Sequence, residues 1–290
     1  MKYAFIKENK NIFSINVMCK VLNVSRSGFY QWLNGALSRR KASNIKLGKT
    51  ISQIHSEHKG KYGYIRITKQ LKNTGISCSK NRVYNIMKNL ELKYKSKKKF
   101  KVTTDSNHKL PVYNNIIARD FSTTDINQKW FSDITYMHTN EGWLYLAVVI
   151  DVYSRAVIGR SMNRRMTQDL VCNALNMALW RRKFSADIIV HSDRGSQYCS
   201  KKYQAMLKNY HLICSMSRKG DCWDNAIAET FFHTLKVELI YDHKYKLINE
   251  AKNSIFKYIE TYYNKKKLHS SIGYLAPINY EAKSTQMVVY

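Results

Sequence analysis

The second half of the chain alternates between short apolar stretches and helical patterns. In WFSDITYMHT, every second residue from Phe131 to Met137 falls on one face of a predicted strand, and Asp133 is among them. Residues 143–154, WLYLAVVIDVYS, are almost continuously apolar, which is typical of a strand buried on both faces. The letters TNEG separate the two stretches and predict a turn at Gly142, so the two strands should form a hairpin.

Further strands and helices follow in alternation. RAVIGRSM predicts a third strand, ADIIVHSD a short buried fourth and LICSMS a fifth. Helices are predicted from about Thr167 to Arg182, where the apolar residues share one face, and from Lys201 to Tyr210. This order predicts an α/β fold, with a mixed five-stranded sheet and helices packed on its faces.

The pattern of the first ninety or so residues predicts helices without intervening strands. Residues Cys19 to Leu33 outline a helix-turn-helix in which Ser25 caps the second helix. A second outline covers Tyr64 to Met87, with a turn around Gly75 and a cap at Ser79. An ordinary pair of packed helices is the alternative in both cases. Basic residues on the second helices are the candidate DNA contacts, namely Arg26, Lys80 and Arg82.

A run of lysines divides the chain. KYKSKKKFK, residues 93–101, holds six lysines in nine residues and leaves too little apolar material for a core segment. We therefore predict an all-α helix-turn-helix region over residues 1–92, a basic linker over 93–122 and the α/β domain over 123–285.

Charge narrows the class of partner. The 290 residues are 44% hydrophobic, which is enough for a globular core, and 49 Lys and Arg against 20 Asp and Glu give a formal charge of +29. Such a charge favours polyanions, so nucleic acid is the expected partner and a membrane surface is the alternative. The longest apolar run, residues 143–150, is too short to span a bilayer, so no membrane partner is expected.

Cysteine usage and the first residues indicate the compartment. The six cysteines contain no C-x-x-C pair, which disfavours a zinc knuckle and a secreted disulfide framework. The start, MKYAFIKENK, lacks the apolar region and cleavage site of a signal peptide. We expect a cytoplasmic protein.

An acidic residue stands out on a predicted helix of this basic chain. In DNAIAETFFHTLK, residues 224–236, the helical period places Glu229 on a polar stripe with Asn225, His233 and Lys236. The opposite face is apolar and should pack on the sheet. A solvated helix face is the alternative interpretation of the stripe.

Two further acids occupy positions where a core residue is usually apolar. Asp133 lies in the middle of the first strand, and Asp193 follows the fourth, at the edge where open α/β sheets bind ligands. Either could be a structural hydrogen-bond acceptor. If Asp133, Asp193 and Glu229 met, their repulsion would require a cation, and oxygen ligands favour Mg²⁺ or Mn²⁺. Two such ions, about 3.5–4 Å apart, suit in-line displacement at phosphorus.

The motifs that carry these acids resemble a known family. WFSDITY, HSDRGSQY and DNAIAETFFHTLKVE, with 59 and then 35 residues between their acids, are similar to the DDE catalytic core of bacterial insertion-sequence transposases, which is itself similar to retroviral integrase. More narrowly, the chain resembles the second-frame (OrfB) product of the family numbered three. YGYIRI, RVYNIMKNLEL, EGWLYLAVVIDVYSR and YNKKKLHSSIGYLAPINYE extend the resemblance over nearly the whole chain.

The resemblance implies a fold, an activity and a site. The α/β domain would have an RNase H-like integrase fold, and Asp133, Asp193 and Glu229 would be the catalytic triad, holding Mg²⁺ or Mn²⁺, two ions per site. Lys236 would contact DNA near the cleaved end. The protein would be a DNA transposase that cuts element ends with water and then joins the freed 3′ hydroxyl to target DNA. A nuclease that only hydrolyses and a DNA-binding regulator are the alternatives.

Other expectations concern contacts and partners. Further DNA contacts are expected at Asn225 and, in the loop SRKG that precedes the catalytic helix, at Arg218 and Lys219, a solvated turn being the alternative for the loop. His191 shares the side of Asp193 and could orient the site or be a packed core residue. The resemblance also implies a homo-oligomer and possible action as a fusion with an upstream-frame product.

Overall fold

Two units make up the chain in the computed structural model, residues 1–94 and 95–290. The structure describes residues 1–35, 37–94, 110–182, 186–218 and 222–287. Half of the basic linker predicted over 93–122, residues 95–109, lies outside the described residues, so its bounds stay a prediction. None of the helices in the described part of the chain is long and apolar enough to cross a membrane.

The first unit is helical throughout its described length. Its small hydrophobic clusters form because each helix buries one apolar stripe, as with Ile6 and Phe29 near the start and Ile67, Leu71 and Val83 further on. The helices are α1 (Lys2–Asn9), α2 (Ile15–Val21), α3 (Arg26–Leu33), α4 (Arg39–Glu57), α5 (Tyr64–Asn73) and α6 (Lys80–Asn89).

Both predicted helix pairs are present, and their caps are the predicted ones. The Ser25 side chain accepts a hydrogen bond from the Gly28 amide at 2.9 Å where α3 begins. The Ser79 side chain accepts one from the Arg82 amide at 3.3 Å where α6 begins. Gly75 has φ +81° in the turn between α5 and α6, a conformation that glycine adopts without a steric penalty. Local sequence chemistry therefore defines these turns.

The second unit is built on the predicted mixed sheet. Its five strands lie in the order β3-β2-β1-β4-β5. Strands β1 and β2 pair antiparallel as the predicted hairpin, and β2 also pairs antiparallel with β3. Strand β4 pairs parallel with both β1 and β5. The strands are β1 (Lys129–Thr139), β2 (Gly142–Asp151), β3 (Val157–Asn163), β4 (Ile189–Ser192) and β5 (Ile213–Met216).

Helices cover both faces of this sheet, which explains why β2 is apolar at nearly every position. Leu144 and Val148 pack in one hydrophobic cluster, and the alternate residues Ala147 and Val149 pack in the other. The first cluster contains residues of α9 and α10, and the second contains residues of α7 and α8. The helices are α7 (Gln168–Arg181), α8 (Lys201–Asn209), α9 (Ala226–Glu238), α10 (Ile248–Lys257) and α11 (Pro277–Met287), with a π-helix at Tyr258–Tyr263 after α10.

The contact between β3 and α7 depends on Gly159. A Cβ atom at this position would lie 2.1 Å from the Ala174 carbonyl oxygen and 3.0 Å from Ala178. The obstacle is helix backbone, so it cannot move aside as a flexible side chain would. Only glycine lets the strand approach the helix this closely.

Replacing Gly159 by Ala is therefore expected to destabilise the second unit by about 2–3 kcal/mol through overpacking. Urea unfolding followed by circular dichroism measures the loss. Gly63→Ala is the matched control, because a Cβ there would meet nothing closer than the Tyr94 side chain at 4.0 Å. Equal stability of the two variants would contradict this account of the packing.

Candidate active site

The register of the sheet places two of the predicted acids side by side. Strands β1 and β4 run parallel, with Phe131 opposite His191. Asp193 directly follows the last residue of β4, so continuing this register brings it beside Asp133, and its charge acts on the Asp133 carboxyl group. Asp133 has the same strand parity as Phe131 and Met137, which pack in the cluster that contains α9. Asp133 therefore faces the helix that carries Glu229.

A hydrogen bond holds the Asp133 carboxyl group in place, and its surroundings disfavour the charged form of the group. Its Oδ1 accepts a hydrogen bond from the Ile134 amide at 2.8 Å. Burial raises the pKa of Asp133 well above its ordinary value, and the nearby charges of Asp193 and Glu229 raise it further. Lys236 opposes this shift in the pKa. Asp193, Glu229 and Lys236 are thus all near enough to Asp133 to act on the pKa of its carboxyl group.

Asp193 is oriented by the loop that follows it. Its Oδ1 accepts a hydrogen bond from the Gly195 amide at 2.9 Å. A Cβ atom on residue 195 would lie 3.0 Å from that same oxygen, so glycine makes the approach possible. Tyr198, at the end of the HSDRGSQY motif, hydrogen-bonds the Ser132 side chain at 3.0 Å and so ties this loop to β1 beside Asp133.

Glu229 and Lys236 lie on α9, two helical turns apart. The Glu229 side chain is exposed, and partial burial of its carboxyl group raises its pKa. Lys236 is 7% exposed, and burial lowers its pKa to about 8, although the Asp133 charge acts in the opposite direction. The Lys236 Nζ lies 5.7 Å from the centre of the Tyr136 ring. Residue 236 is thus a cation buried beside the acids rather than a solvated lysine.

The donor chemistry fits a divalent cation, although the three acids do not form a closed ligand set here. Within the described ranges, no three His, Cys, Asp or Glu side chains stand together as a ready metal site. Asp133 nevertheless has a raised pKa for which Asp193 and Glu229 are in part responsible, and a cation relieves this kind of repulsion. Carboxylate oxygens are the ligands that Mg²⁺ and Mn²⁺ prefer.

A buried aspartate fixes the start of the Glu229 helix. Asp224, 0% exposed, lies in the short 3-10 helix Cys222–Asn225 that leads into α9. Its oxygens accept hydrogen bonds from the Asn115 amide group at 2.8 Å, the Arg218 guanidinium at 3.0 Å and the Arg119 Nε at 3.3 Å. The Arg218 hydrogen bonds hold the pKa of Asp224 well below its ordinary value in spite of burial.

Replacing Asp224 by Asn is expected to destabilise the second unit by about 2 kcal/mol, because charge-assisted hydrogen bonds to two guanidinium groups are lost. The DNA cleavage that the motif resemblance implies should also slow, because the start of α9 is released. Urea unfolding and an end-cleavage assay measure the two effects. Asp125→Asn, at an exposed aspartate, is the control. A variant with wild-type stability and rate would show that Asp224 does not position the helix.

A second buried acid fixes the end of the same helix. Glu238 accepts a hydrogen bond from the Tyr258 hydroxyl at 2.8 Å and forms an ion pair with Lys267, which is 1% exposed. Lys267 is the last lysine of the YNKKKLH motif, and its ammonium group is buried against α9 rather than exposed to solvent.

His191 is a packed core residue that connects three segments. Its ring nitrogens lie 2.9 Å from the Ser215 hydroxyl and 3.1 Å from the Ser217 hydroxyl. The Ser215 hydroxyl also accepts a hydrogen bond from the Ile116 amide at 3.0 Å. Burial lowers the pKa of His191 to about 4, so the ring is neutral at physiological pH. His191 therefore supports the strand that ends at Asp193.

The predicted DNA contacts have different surroundings. Arg26 and Lys80 are exposed at the starts of α3 and α6. Arg82 instead bonds α4, through Asn44 at 2.8 Å and Ser43 at 2.8 Å. Asn225 is 5% exposed, Arg218 is engaged by Asp224, and Lys219 lies outside the described residues. All of these DNA contacts stay predictions. Arg82 also bonds α4, and Asn225 is buried where α9 begins.

Family models match each part of the chain. An integrase core domain matches residues 124–222, a second integrase core domain matches residues 210–277, and an HTH-like domain matches residues 42–100. The mixed sheet, the paired aspartates and these matches define an integrase-type polynucleotidyl transferase with an RNase H-like core and a helix-turn-helix region. The helix pair α5 and α6 lies inside the HTH-like match.

Named relatives narrow the class further. The transposase InsF for insertion sequence IS3A of Escherichia coli (strain K12) is 45% identical over 286 residues, 98% of this chain and 99% of the relative. The insertion element IS600 uncharacterized 31 kDa protein of Shigella sonnei is 42% identical over 93% of this chain and 99% of the relative. The chain therefore belongs to the IS3 family of insertion-sequence transposases, and it is a DNA transposase.

A solved structure shows a partial likeness. The HTLV-2 integrase catalytic core domain in complex with magnesium is 18% identical, with a TM-score of 0.42, over 54% of this chain and 97% of that chain. The predictions of the family, the fold class and the enzyme class are confirmed by the family models and the curated relatives.

Proposed function

We propose that Asp133, Asp193 and Glu229 are the catalytic carboxylates of this transposase and that they hold two divalent cations, Mg²⁺ or Mn²⁺. The observation that carries this proposal is that the charges of Asp193 and Glu229 both act on the buried Asp133 carboxyl group and raise its pKa. When bound, such ions supply activation of the attacking oxygen and stabilisation of the leaving oxygen.

The protein's own groups orient the reaction. The Ile134 and Gly195 amides fix the Asp133 and Asp193 carboxylates, so Asp133 presents its other oxygen from the middle of β1 and Asp193 from the end of β4. Lys236 keeps a proton at neutral pH because its pKa, about 8, lies above 7. We assign to Lys236 a contact with a DNA phosphate near the cleaved end, where its charge offsets that of the phosphate.

The proposed substrates are the ends of the mobile element and a target DNA. The net charge of +29 draws both to the protein. We propose that the active form is a homo-oligomer acting on DNA in the cytoplasm, and that fusion to an upstream-frame product contributes to full activity. Relatives named as insertion-sequence transposases support the choice of element ends as substrate.

A strand-transfer assay tests the proposed function. Labelled oligonucleotides that carry the element ends are incubated with a target plasmid, Mg²⁺ and the chain, both alone and fused to the upstream-frame product. We expect end cleavage followed by labelled plasmid joints, and neither product in EDTA. Cleavage without labelled joints, by both the chain alone and the fusion, would indicate a nuclease. DNA binding without any reaction would indicate a regulator.

A further inference from the structure

An exposed tryptophan is held rigidly next to the proposed catalytic helix. Trp223 is 70% exposed, yet the next two residues, Asp224 and Asn225, are buried. Asp224 is fixed by the hydrogen bonds of Asn115, Arg119 and Arg218 described above. The backbone is therefore fixed on the C-terminal side of Trp223, while most of the Trp223 side chain is exposed to solvent.

Positive charge surrounds this anchored backbone. Arg119 and Arg218 both form ion pairs with Asp224, and both guanidinium side chains are about half exposed. Two guanidinium groups against one carboxylate leave a local excess of positive charge. An aromatic surface beside ordered cations is the arrangement with which proteins bind single-stranded nucleic acid, by base stacking together with phosphate attraction.

The ring also lies at a useful distance from the proposed catalytic carboxylates. Trp223 precedes Glu229 by six residues, and a 3-10 turn followed by α-helix spans roughly 10 Å over that length. Successive nucleotides of one strand are separated by about 3.4 Å in duplex DNA. A base stacked on Trp223 would thus be within about three nucleotides of the phosphate at the catalytic site.

We propose that Trp223 is a DNA-binding residue that stacks on an unpaired base of the element end, within about three nucleotides of the scissile phosphate. Arg119 and Arg218 add attraction for the flanking phosphates. The location relative to the scissile phosphate rests on the proposed function of the triad. A second copy of this chain is the less favoured occupant, because the half-exposed Arg119 and Arg218 beside the ring favour an anionic partner.

The test compares Trp223→Ala with Trp223→Phe and with Trp180→Ala in the full chain. Trp180 is 87% exposed at the end of α7 and serves as the matched control. The probe is element-end DNA with a frayed terminus that carries 2-aminopurine at one position at a time. Its fluorescence reports stacking at that position, and titrations of the probe at several salt concentrations give its affinity.

We expect Trp223→Ala to weaken binding of the frayed end by about 5- to 140-fold, the fold-change that corresponds to 1–3 kcal/mol for one stacked base. Trp223→Phe should restore most of this affinity, and Trp180→Ala should match wild type. The slope of log affinity against log salt should not change in Trp223→Ala, because no phosphate contact is removed. Wild-type protein should quench 2-aminopurine at one position near the cleavage site.

Several outcomes would overturn the proposal. One is that Trp223→Ala binds as tightly as Trp180→Ala. Another is that the wild type shows no position-dependent quenching, a result that does not require any variant to fold. A loss of affinity accompanied by a change in oligomeric state would assign the tryptophan to a contact between copies. Position-dependent quenching by a wild type that neither cleaves nor joins DNA would contradict the proposed function and leave the stacking site standing.

Discussion

Asp133→Asn is expected to abolish end cleavage and strand transfer, with a loss of at least about 10³-fold in rate, while DNA binding persists. Such a loss corresponds to about 4 kcal/mol of transition-state stabilisation, which is within what a metal site supplies. The substitution keeps the shape of the side chain and removes the charge at the centre of the site. Asp133 is also the acid whose pKa responds to both other acids and to Lys236.

The same substitution should leave the metal-free protein as stable as wild type, or more so. Its carboxylate is buried, and Asp193 and Glu229 repel it, so a neutral side chain removes an unfavourable interaction. Activity and stability are thus expected to change in opposite directions. Parallel cleavage, filter-binding and urea-unfolding measurements test this, with Asp169→Asn at an exposed ion pair as the control. Retained cleavage would remove Asp133 from the catalytic set.

Lys267→Met is expected to give the second large effect, a destabilisation of about 3–5 kcal/mol. The substitution leaves the Glu238 carboxylate buried without its cationic partner, which costs far more than the intact pair contributes. Glu238 is the last residue of α9, so DNA cleavage should fall together with stability. Urea unfolding of the second unit and the end-cleavage rate measure the two effects.

A double variant separates charge from shape. Lys267→Met combined with Glu238→Leu removes both charges and should recover much of the lost stability, because apolar replacements of a buried pair are often neutral or stabilising. Lys202→Met, which removes an exposed partner of Asp169, should change stability little. If Lys267→Met were as mild as Lys202→Met, the buried pair would not hold α9.

The sheet and the three acids could be predicted because their determinants are local. Strand parity placed Asp133 on the face of Phe131, and the strand before Asp193 ended where the apolar run ended. The continuous apolar run of β2 was correctly interpreted as burial on both faces, since its two sets of alternate residues pack in different clusters. Helical periodicity likewise separated Glu229 from the apolar face of α9.

The anchors of α9 could not be predicted because they depend on contacts distant in sequence. Asn115 and Asp224 are 109 residues apart, and Glu238 and Lys267 are 29 apart. A charged residue next to a motif gives no indication of whether its partner is protein or DNA. Arg218 was therefore predicted as a DNA contact, although its guanidinium group bonds the buried Asp224, and the partner of Lys267, the buried Glu238, was not predicted.

Arg160 shows how a buried cation is accommodated in β3. Its guanidinium lies 4.7 Å from the centre of the Phe256 ring and donates to Glu260 at 2.7 Å. The ring contact and the ion pair together compensate the burial of the charge. Sequence alone does not reveal Glu260 as this partner, 100 residues away.

The central claim is that Asp133, Asp193 and Glu229 share divalent cations at the DNA end, and anomalous diffraction from crystals of the protein bound to element-end DNA and Mn²⁺ tests it most directly. We predict two anomalous peaks about 3.5–4 Å apart, bounded by those three carboxylates and the scissile phosphate. Manganese bound away from Asp133 and Asp193, or an end phosphate bound with no manganese between it and Glu229, would contradict the account.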